Sequence, residues 1–557
     1  MKTQTKIFYT SVLFLIYIFS LSNTVLSQPV TEWVQRYNSP GNYDDDLIDM
    51  VIDKEGNTYI TGNTGNPLNI VTLKYSSSGN LLWSRTYNGP ANRDDEAVKI
   101  AVDDSGFVYV AGKTFNPQEF TNYLLIKYST NGDLIWQREI SNGDSTTDVP
   151  RDMILDDYSN VYIIGSGYQC FLNCFGDYMT VKYDRNGNLK WKRFYHGEGY
   201  FSNYGWTLAL DNFGRVIVSG KSADINNTYY NATVVYDANG SFIRKINIDS
   251  AEVRRLETDQ SNNLYIGGFK KSPELPVNSD IFLNKYDSTG HLLWNKFYGS
   301  NNTSQNRSDY LSWMHLDAQE LNMYLIGYGD INNQIGWDYI LIKSNISNGD
   351  SLWKKGYVPV NNSDNYAVQL AVDRFNNVYI TGSSNYNTPY YRFLTVKYDS
   401  VGNFIWSADY LNILFYNHYG KRVAVDSTNS VLVGGTSYGP ESSSNDIVLI
   451  KYSQITSVQN ISNQIPEEMR LFQNYPNPFN PETKINYELP NDVFVKIIIY
   501  DALGREVKIL LDEFKVAGRY NVTFRGESLP SGVYYYRFSA KGEAGNFMLT
   551  KKMLLLK

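Results

Sequence analysis

Apolar and polar positions alternate in short runs along most of the chain. The runs are broken by Gly, Asn, Asp and Ser, and nowhere in the repeated region do they adopt a helical period. One phrase returns: an apolar run ending in Asp, a short turn, a second run ending in Gly, a third ending near Lys-Tyr, then Gly and a run with Trp. Val51-Ile52-Asp53-Lys54-Glu55-Gly56-Asn57-Thr58-Tyr59-Ile60-Thr61-Gly62 is its first copy, and Val372-Asp373-Arg374-Phe375-Asn376-Asn377-Val378-Tyr379-Ile380-Thr381-Gly382 nearly repeats it. The marker Asp falls at Asp53, Asp103, Asp156, Asp211, Asp259, Asp317, Asp373 and Asp426, a period near 53 residues. Four strand-forming runs in roughly 50 residues are the size of a propeller blade. A β-solenoid, the open alternative, has shorter coils without the four-strand rhythm.

The ends of the repeat set the blade count. Lys-Tyr recurs at Lys74-Tyr75, Lys127-Tyr128, Lys182-Tyr183, Lys285-Tyr286, Lys397-Tyr398 and Lys451-Tyr452, degraded to Val235-Tyr236 and Lys343-Ser344 in the other copies. The Trp run holds Trp33, Trp83, Trp136, Trp191, Trp294, Trp353 and Trp406, with Ile243 in the corresponding place of the fourth copy. Trp33 precedes the first marker, and the last copy stops at Tyr452 without a Trp run of its own. The expectation is an all-β, eight-bladed propeller (seven being the alternative) in which the N-terminal strand completes the last blade and leaves no exposed edge.

Asp followed shortly by Gly or Asn is turn chemistry: the carboxylate accepts turn amides and the later residue supplies positive φ. A calcium loop would want several carboxylates per turn, and most copies carry one or two. Four residues before each marker stand Asp49, Lys99, Asp152, Thr207, Arg255, Trp313, Gln369 and Arg422, a mixed polar register flanked by mostly apolar positions. These residues are candidates to line a central channel and bind a ligand there; the plainer alternative is that they bridge neighbouring blades.

Composition narrows the class. Of 557 residues 15% are aromatic, with 47 Tyr and 10 Trp, which suits half-buried pleated surfaces. A net charge of −7 argues against a nucleic-acid partner, which would want a basic face. Lys2 and Lys6, the apolar stretch from Ile7 to Leu21, and the small Val25 and Ser27 read as an export signal over residues 1–27, too short to span a bilayer. No later stretch is long enough to be transmembrane. Cys170 and Cys174 could form a local disulfide in an oxidising compartment, remain thiols, or, least simply, join a metal site for which His is scarce. His196, His291, His315 and His418 lie in unlike repeat positions with no nucleophile motif, and His315 reads as a packed residue of an apolar strand. No catalytic set, metal site or cofactor is expected.

The Asp-x-x-Gly-Asn-x-Tyr-Ile-Thr-Gly phrase, with its Lys-Tyr and Gly-x-x-x-Trp, resembles the SBBP β-propeller repeat of exported bacterial proteins over residues 33 to about 453. That resemblance implies a scaffold rather than an activity. The Gly-x-x-x-Trp run faintly resembles quinone-cofactor dehydrogenase repeats, but the adjacent cysteines of those enzymes are absent here, as are sialidase-type boxes.

Beyond the propeller, assigned to residues 28–453, a polar linker is read over 454–470 and a small antiparallel, Ig-like β-sandwich over 471–557. Its Asn474-Tyr475-Pro476-Asn477-Pro478-Phe479-Asn480-Pro481 opening, Ile499-Tyr500-Asp501-Ala502-Leu503-Gly504-Arg505 and Leu529-Pro530-Ser531-Gly532-Val533-Tyr534 closely resemble the type A C-terminal sorting domain of the type IX secretion system. The resemblance implies a Gram-negative cell, passage through the periplasm, handling by the type IX machinery, and removal of the domain by a surface sortase. The cargo would then be secreted or attached to surface lipopolysaccharide. The functional expectation is therefore a cell-surface or secreted binding scaffold for a glycan, protein or polymer; the alternatives are a propeller-fold hydrolase or quinone-dependent dehydrogenase, or a purely structural surface-layer component.

Overall fold

The computed structural model describes residues 29–557 except 119, 142–146, 170–174, 200, 272–277, 300–307, 330–335, 360–362, 386–388, 411–415, 440–443, 455–467, 492, 516–517, 528 and 543–544. The export signal, Cys170 with Cys174, and most of the linker lie outside the described residues. All regular structure among the described residues is β-strand, in two compact units, Met1–Tyr452 and Ser453–Lys557.

The first unit contains eight four-stranded antiparallel sheets. In the first, Asp46–Ile52, Thr58–Thr64, Asn69–Tyr75 and Leu81–Tyr87 lie side by side in chain order, and six more follow the same plan. The eighth runs His418–Val425, Val431–Tyr438, Asn445–Ser453 and then Val30–Tyr37, so the N-terminal strand fills the outermost place. Each innermost strand contacts the innermost strand of the next sheet, and His418–Val425 contacts Asp46–Ile52, which closes the propeller ring.

Each marker Asp makes the turn between the first two strands of its blade. Asp53 Oδ1 accepts the Glu55 and Asn57 amides at 3.1 and 2.8 Å, and its Oδ2 accepts from Asn57 Nδ2 and the Tyr59 hydroxyl. Asp156 and Asp373 repeat the whole set. The core is not inside the blades but between them. Tyr59 and Ile70 of the first blade pack with Ile100, Val110, Leu124 and Ile126 of the second in one buried cluster, and Leu47, Met50 and Leu73 pack with Leu432, Ile447 and Leu449 across the closure.

A two-donor polar latch sits at the outer side of several junctions, though not at the second blade's, where Lys127 Nζ donates to Arg185 O and Trp136 Nε1 is buried without a partner. Trp83 Nε1 and Lys74 Nζ both donate to Thr130 O in the third-to-fourth-strand turn of the next blade, at 3.1 and 3.3 Å. Trp191 and Lys182 share Ala238 O, and Trp294 and Lys285 share Ile346 O. At the closure, Trp33 from the first strand of the propeller and Lys451 near its end share Ser77 O, at 3.4 and 3.2 Å. The fourth blade corrects the sequence alignment: Val235, standing where Lys does, pairs with Arg244, so Arg244 and not Ile243 occupies the Trp place. There Arg244 and Arg215 replace the indole and the amine, both donating to Ser288 O at 3.1 and 2.7 Å.

The second unit holds a three-stranded sheet, Arg470–Leu471, Glu482–Leu489 and Gly518–Arg525. A four-stranded sheet orders Glu506–Lys515, Val493–Tyr500, Gly532–Gly542 and Gly545–Leu555. Both feed one core, including Tyr487, Val495, Ile497, Phe524, Tyr536 and Phe538. The Pro-rich opening is tied down: Asn474 Nδ2 donates to Thr483 Oγ1 at 2.9 Å, Tyr536 Oη donates to Phe472 O at 2.8 Å, and Phe479 is buried against Phe524.

The latch turn requires glycine for two reasons. Gly132 has φ +82°, and a Cβ there would stand 2.7 Å from the Trp83 ring, whereas Gly214 has φ +71° and its nearest neighbour would be 3.6 Å away. Gly214→Ala should cost about 1 kcal/mol of backbone strain. Gly132→Ala should add an overpacking penalty of about 1–3 kcal/mol and melt visibly earlier in thermal unfolding. Equal melting of the two variants would show that the indole seat does not constrain the junction.

Candidate functional site at the channel mouth

Every innermost strand carries a β-bulge at the same place. The pairing register shifts between Leu47 and Asp49, Ala97 and Lys99, Pro150 and Asp152, Gly205 and Thr207, Val253 and Arg255, Leu311 and Trp313, Ala367 and Gln369, and Gly420 and Arg422. The residue following each bulge is the predicted channel position. A bulge locally twists a strand and re-aims its side chains, and here it does so in every blade.

These side chains form a girdle. Arg422 Nε reaches Asp49 Oδ1 at 2.7 Å; Lys99 Nζ lies 3.6 Å from Asp49 and 3.9 Å from Asp152; Thr207 donates to Asp152 at 3.3 Å. The acceptors also cap the free inner edge of the next blade: Asp49 takes the Ile100 amide at 3.2 Å, Asp152 the Leu208 amide at 3.4 Å, and Gln369 the Val423 amide at 2.9 Å. Arg255 stacks on Trp313, its guanidinium 3.6 Å from the ring centroid. Lys99, from the second blade, lies 5.8 Å from the same ring, which belongs to the sixth, so the girdle converges across the channel. All eight predicted positions are thus on the innermost strands, and six of them, Asp49, Lys99, Asp152, Thr207, Gln369 and Arg422, make the inter-blade bonds of the plainer alternative.

Burial alone would raise the Asp49 carboxyl, but Lys99 and Arg422, with the bonds from Arg422 and the Ile100 amide, hold it below the usual carboxylate range. Burial pushes the Arg255 guanidinium down, with Asp152 opposing. Two residues on, burial drives Glu257 up to about 7 against the pull of Arg255.

Around Arg255 the girdle opens into a cavity of about 330 Å³ lined by Trp206, Arg254, Arg255, Trp313, Tyr328 and Arg422, among others. Trp206 and Arg254 are the extra residues of their bulges, and Tyr328 pairs across the sheet with Tyr310. No sequence pattern singled these three out; for Trp206 and Arg254 the available signal was a large side chain directly before a register residue. The histidines are scattered. His196 pairs with Asp177 at 2.6 Å, His291 with Thr289 at 2.8 Å and His418 with Ser437 at 2.7 Å, while His315 is half-buried two residues past Trp313, where burial lowers its pKa.

The fold is that of an exported propeller protein carrying a separate secretion domain. Residues 473–554 match the family described as secretion system C-terminal sorting domain, and residues 82–116 match the β-propeller repeat known as SBBP. The sorting domain marks the chain for export through the type IX secretion system, to the cell surface or the medium. No helix among the described residues is long and apolar enough to cross a membrane. No curated protein matches the sequence. Similar solved structures include the Dos1 propeller, at 10% identity and TM-score 0.47, covering 76% of this chain and 94% of that one. Another is PorZ, a surface component of the type-IX secretion system of Porphyromonas gingivalis, at 10% identity and TM-score 0.41, covering 94% and 68%. A third is a PL25 ulvan lyase, at 11% identity and TM-score 0.41, covering 68% and 96%.

Removing the Asp49 carboxylate strands Arg422 and an edge amide and leaves Lys99 with Asp152 alone. Asp49→Ala should cost about 3–5 kcal/mol, read as a large fall in melting temperature, whereas Lys54→Ala, whose partner Asp104 is fully solvated, should melt like the parent. Because its folded pKa is depressed, the Asp49 contribution is present above its unfolded value of about 3.9 and is lost as pH falls through the lower folded value. The gap between parent and Asp49→Ala should therefore narrow in acid. A gap that widened would overturn the assignment.

Proposed function

We propose that this is a non-catalytic surface protein whose propeller binds a glycan at the channel mouth, delivered there by residues 471–557. The observation that supports this reading most directly is the cavity itself: a concave site with two indoles, a phenol and several guanidinium donors in one place. Apolar rings stack on the C–H faces of sugars, and a few fixed polar groups set orientation, which is the usual make-up of a small-ligand site. The rest of the girdle is filled by bonds between blades and offers structure rather than binding. After export, a surface sortase would cut the chain in the 454–470 linker and leave the propeller attached or released.

A glycan array with the purified full chain tests the binding. Trp206→Ala is the sharper probe, since Arg255 already covers one face of Trp313. Loss of a carbohydrate signal in Trp206→Ala with melting unchanged is the expected result; silence on every glycan would overturn the reading. For export, deletion of residues 471–557 should leave a folded propeller in the periplasm, and recovery of that truncation at the cell surface would refute delivery by the tail.

A further inference from the structure

We infer that the propeller face around this mouth holds an acidic polysaccharide, laid along an arc of aromatic rings with one uronate carboxylate seated on Arg255. The inference rests on the glycan reading above and narrows it. Tyr310, Tyr328, Tyr366, Tyr391 and Tyr419 form an unbroken series over the sixth to eighth blades, with successive ring centroids 5.4, 5.1, 6.0 and 5.9 Å apart. Three of them, Tyr310, Tyr366 and Tyr419, stand three residues before the girdle position of their blades, at the same end of the innermost strands as the bulges. The rings are half-buried, and Tyr419 is 37% exposed. Centroid steps of this size are comparable with the advance of a sugar chain per residue. Tyr328 also lines the mouth cavity, so the arc runs into it.

Charge then selects the ligand. The other charged groups at the mouth are matched: Arg422 and Lys99 with Asp49, Lys99 also with Asp152, and Arg254 with Glu252 at 2.7 Å. Arg255 is the exception, since Asp152, Asp49 and Glu257 act on it only from beyond ion-pair distance. Among the described residues it makes no salt bridge, its Nε is buried without a hydrogen-bond partner, and its plane is fixed on Trp313. A buried, unpaired guanidinium is costly unless an anion completes it, and its planar fork fits two carboxylate oxygens.

Calorimetry with the full chain tests this, using hexagalacturonate, digalacturonate, the neutral cellohexaose and dextran sulfate, with melting curves as the folding control. Hexagalacturonate should bind, and Arg255→Gln should weaken it by about tenfold or more, as loss of a charge-assisted pair implies. Arg255→Lys, which keeps the charge and loses the fork, should also weaken it. Tyr419→Ser should weaken the hexamer and leave the dimer unaffected. Cellohexaose binding as tightly as hexagalacturonate, or an unchanged affinity in both Arg255 variants, would overturn the acidic ligand alone and leave glycan binding standing. Preference for dextran sulfate would replace the uronate by a sulfate ester. No binding of any chain would overturn this inference and the glycan reading together.

Discussion

At most junctions the ring is oriented by one turn carbonyl that accepts from the blade before it. Thr130 O, Ala238 O and Ile346 O each receive an indole N–H and a lysine ammonium from the preceding blade. Neither bond is worth much alone, about 1 kcal/mol net for a neutral pair and somewhat more for the charged one. Their value lies in geometry: two donors from adjacent strands meet one acceptor only at a single spacing and rotation of the blades. The apolar cluster between blades supplies attraction without direction, and the latch supplies direction. At Ser77 O the two donors come from opposite ends of the propeller, so the contact that orients ordinary neighbours also fixes the ring closed.

Closure has a cost at the axis, and the channel residues answer it. Eight innermost strands present unpaired backbone edges toward one another, and a buried amide without an acceptor is expensive. Asp49, Asp152 and Gln369 each accept an amide of the following blade, and cations then neutralise the two carboxylates. The girdle is polar for structural reasons over most of its circumference. Where the fifth and sixth blades place Arg255 and Trp313 instead, no edge is capped by them, and the cavity with its unpaired Nε opens there. The candidate site is where the repeat departs from its own rule.

The repeat was legible because its turns and latches need particular chemistry: Asp53 and its copies must accept turn amides, and Gly79 and Gly132 must have positive φ under Trp33 and Trp83. The channel register was legible for a less obvious reason. Counting back four residues from the marker stops just short of the bulge, so alternation holds over that interval; one step further it would have reversed faces. The bulge itself left no trace, since its extra residue is Ile48, Val98, Arg151, Trp206, Arg254, Ser312, Val368 or Lys421, with no shared type. Ile243 reads as the Trp position only if that place demands an apolar residue; the latch asks only for a donor there, and Arg244 supplies it. The aromatic arc draws on innermost, second and third-strand positions, so no single sequence interval could reveal it.

The separate secretion domain fits this economy. Its core draws only on residues from Met469 to Leu555, and the propeller clusters draw on none of them. A ring whose last blade is completed by Val30–Tyr37 needs nothing from beyond Tyr452 to satisfy its edges. The strand that seals the ring comes instead from Val30–Tyr37, so the propeller can close only when both ends of residues 30–453 are available.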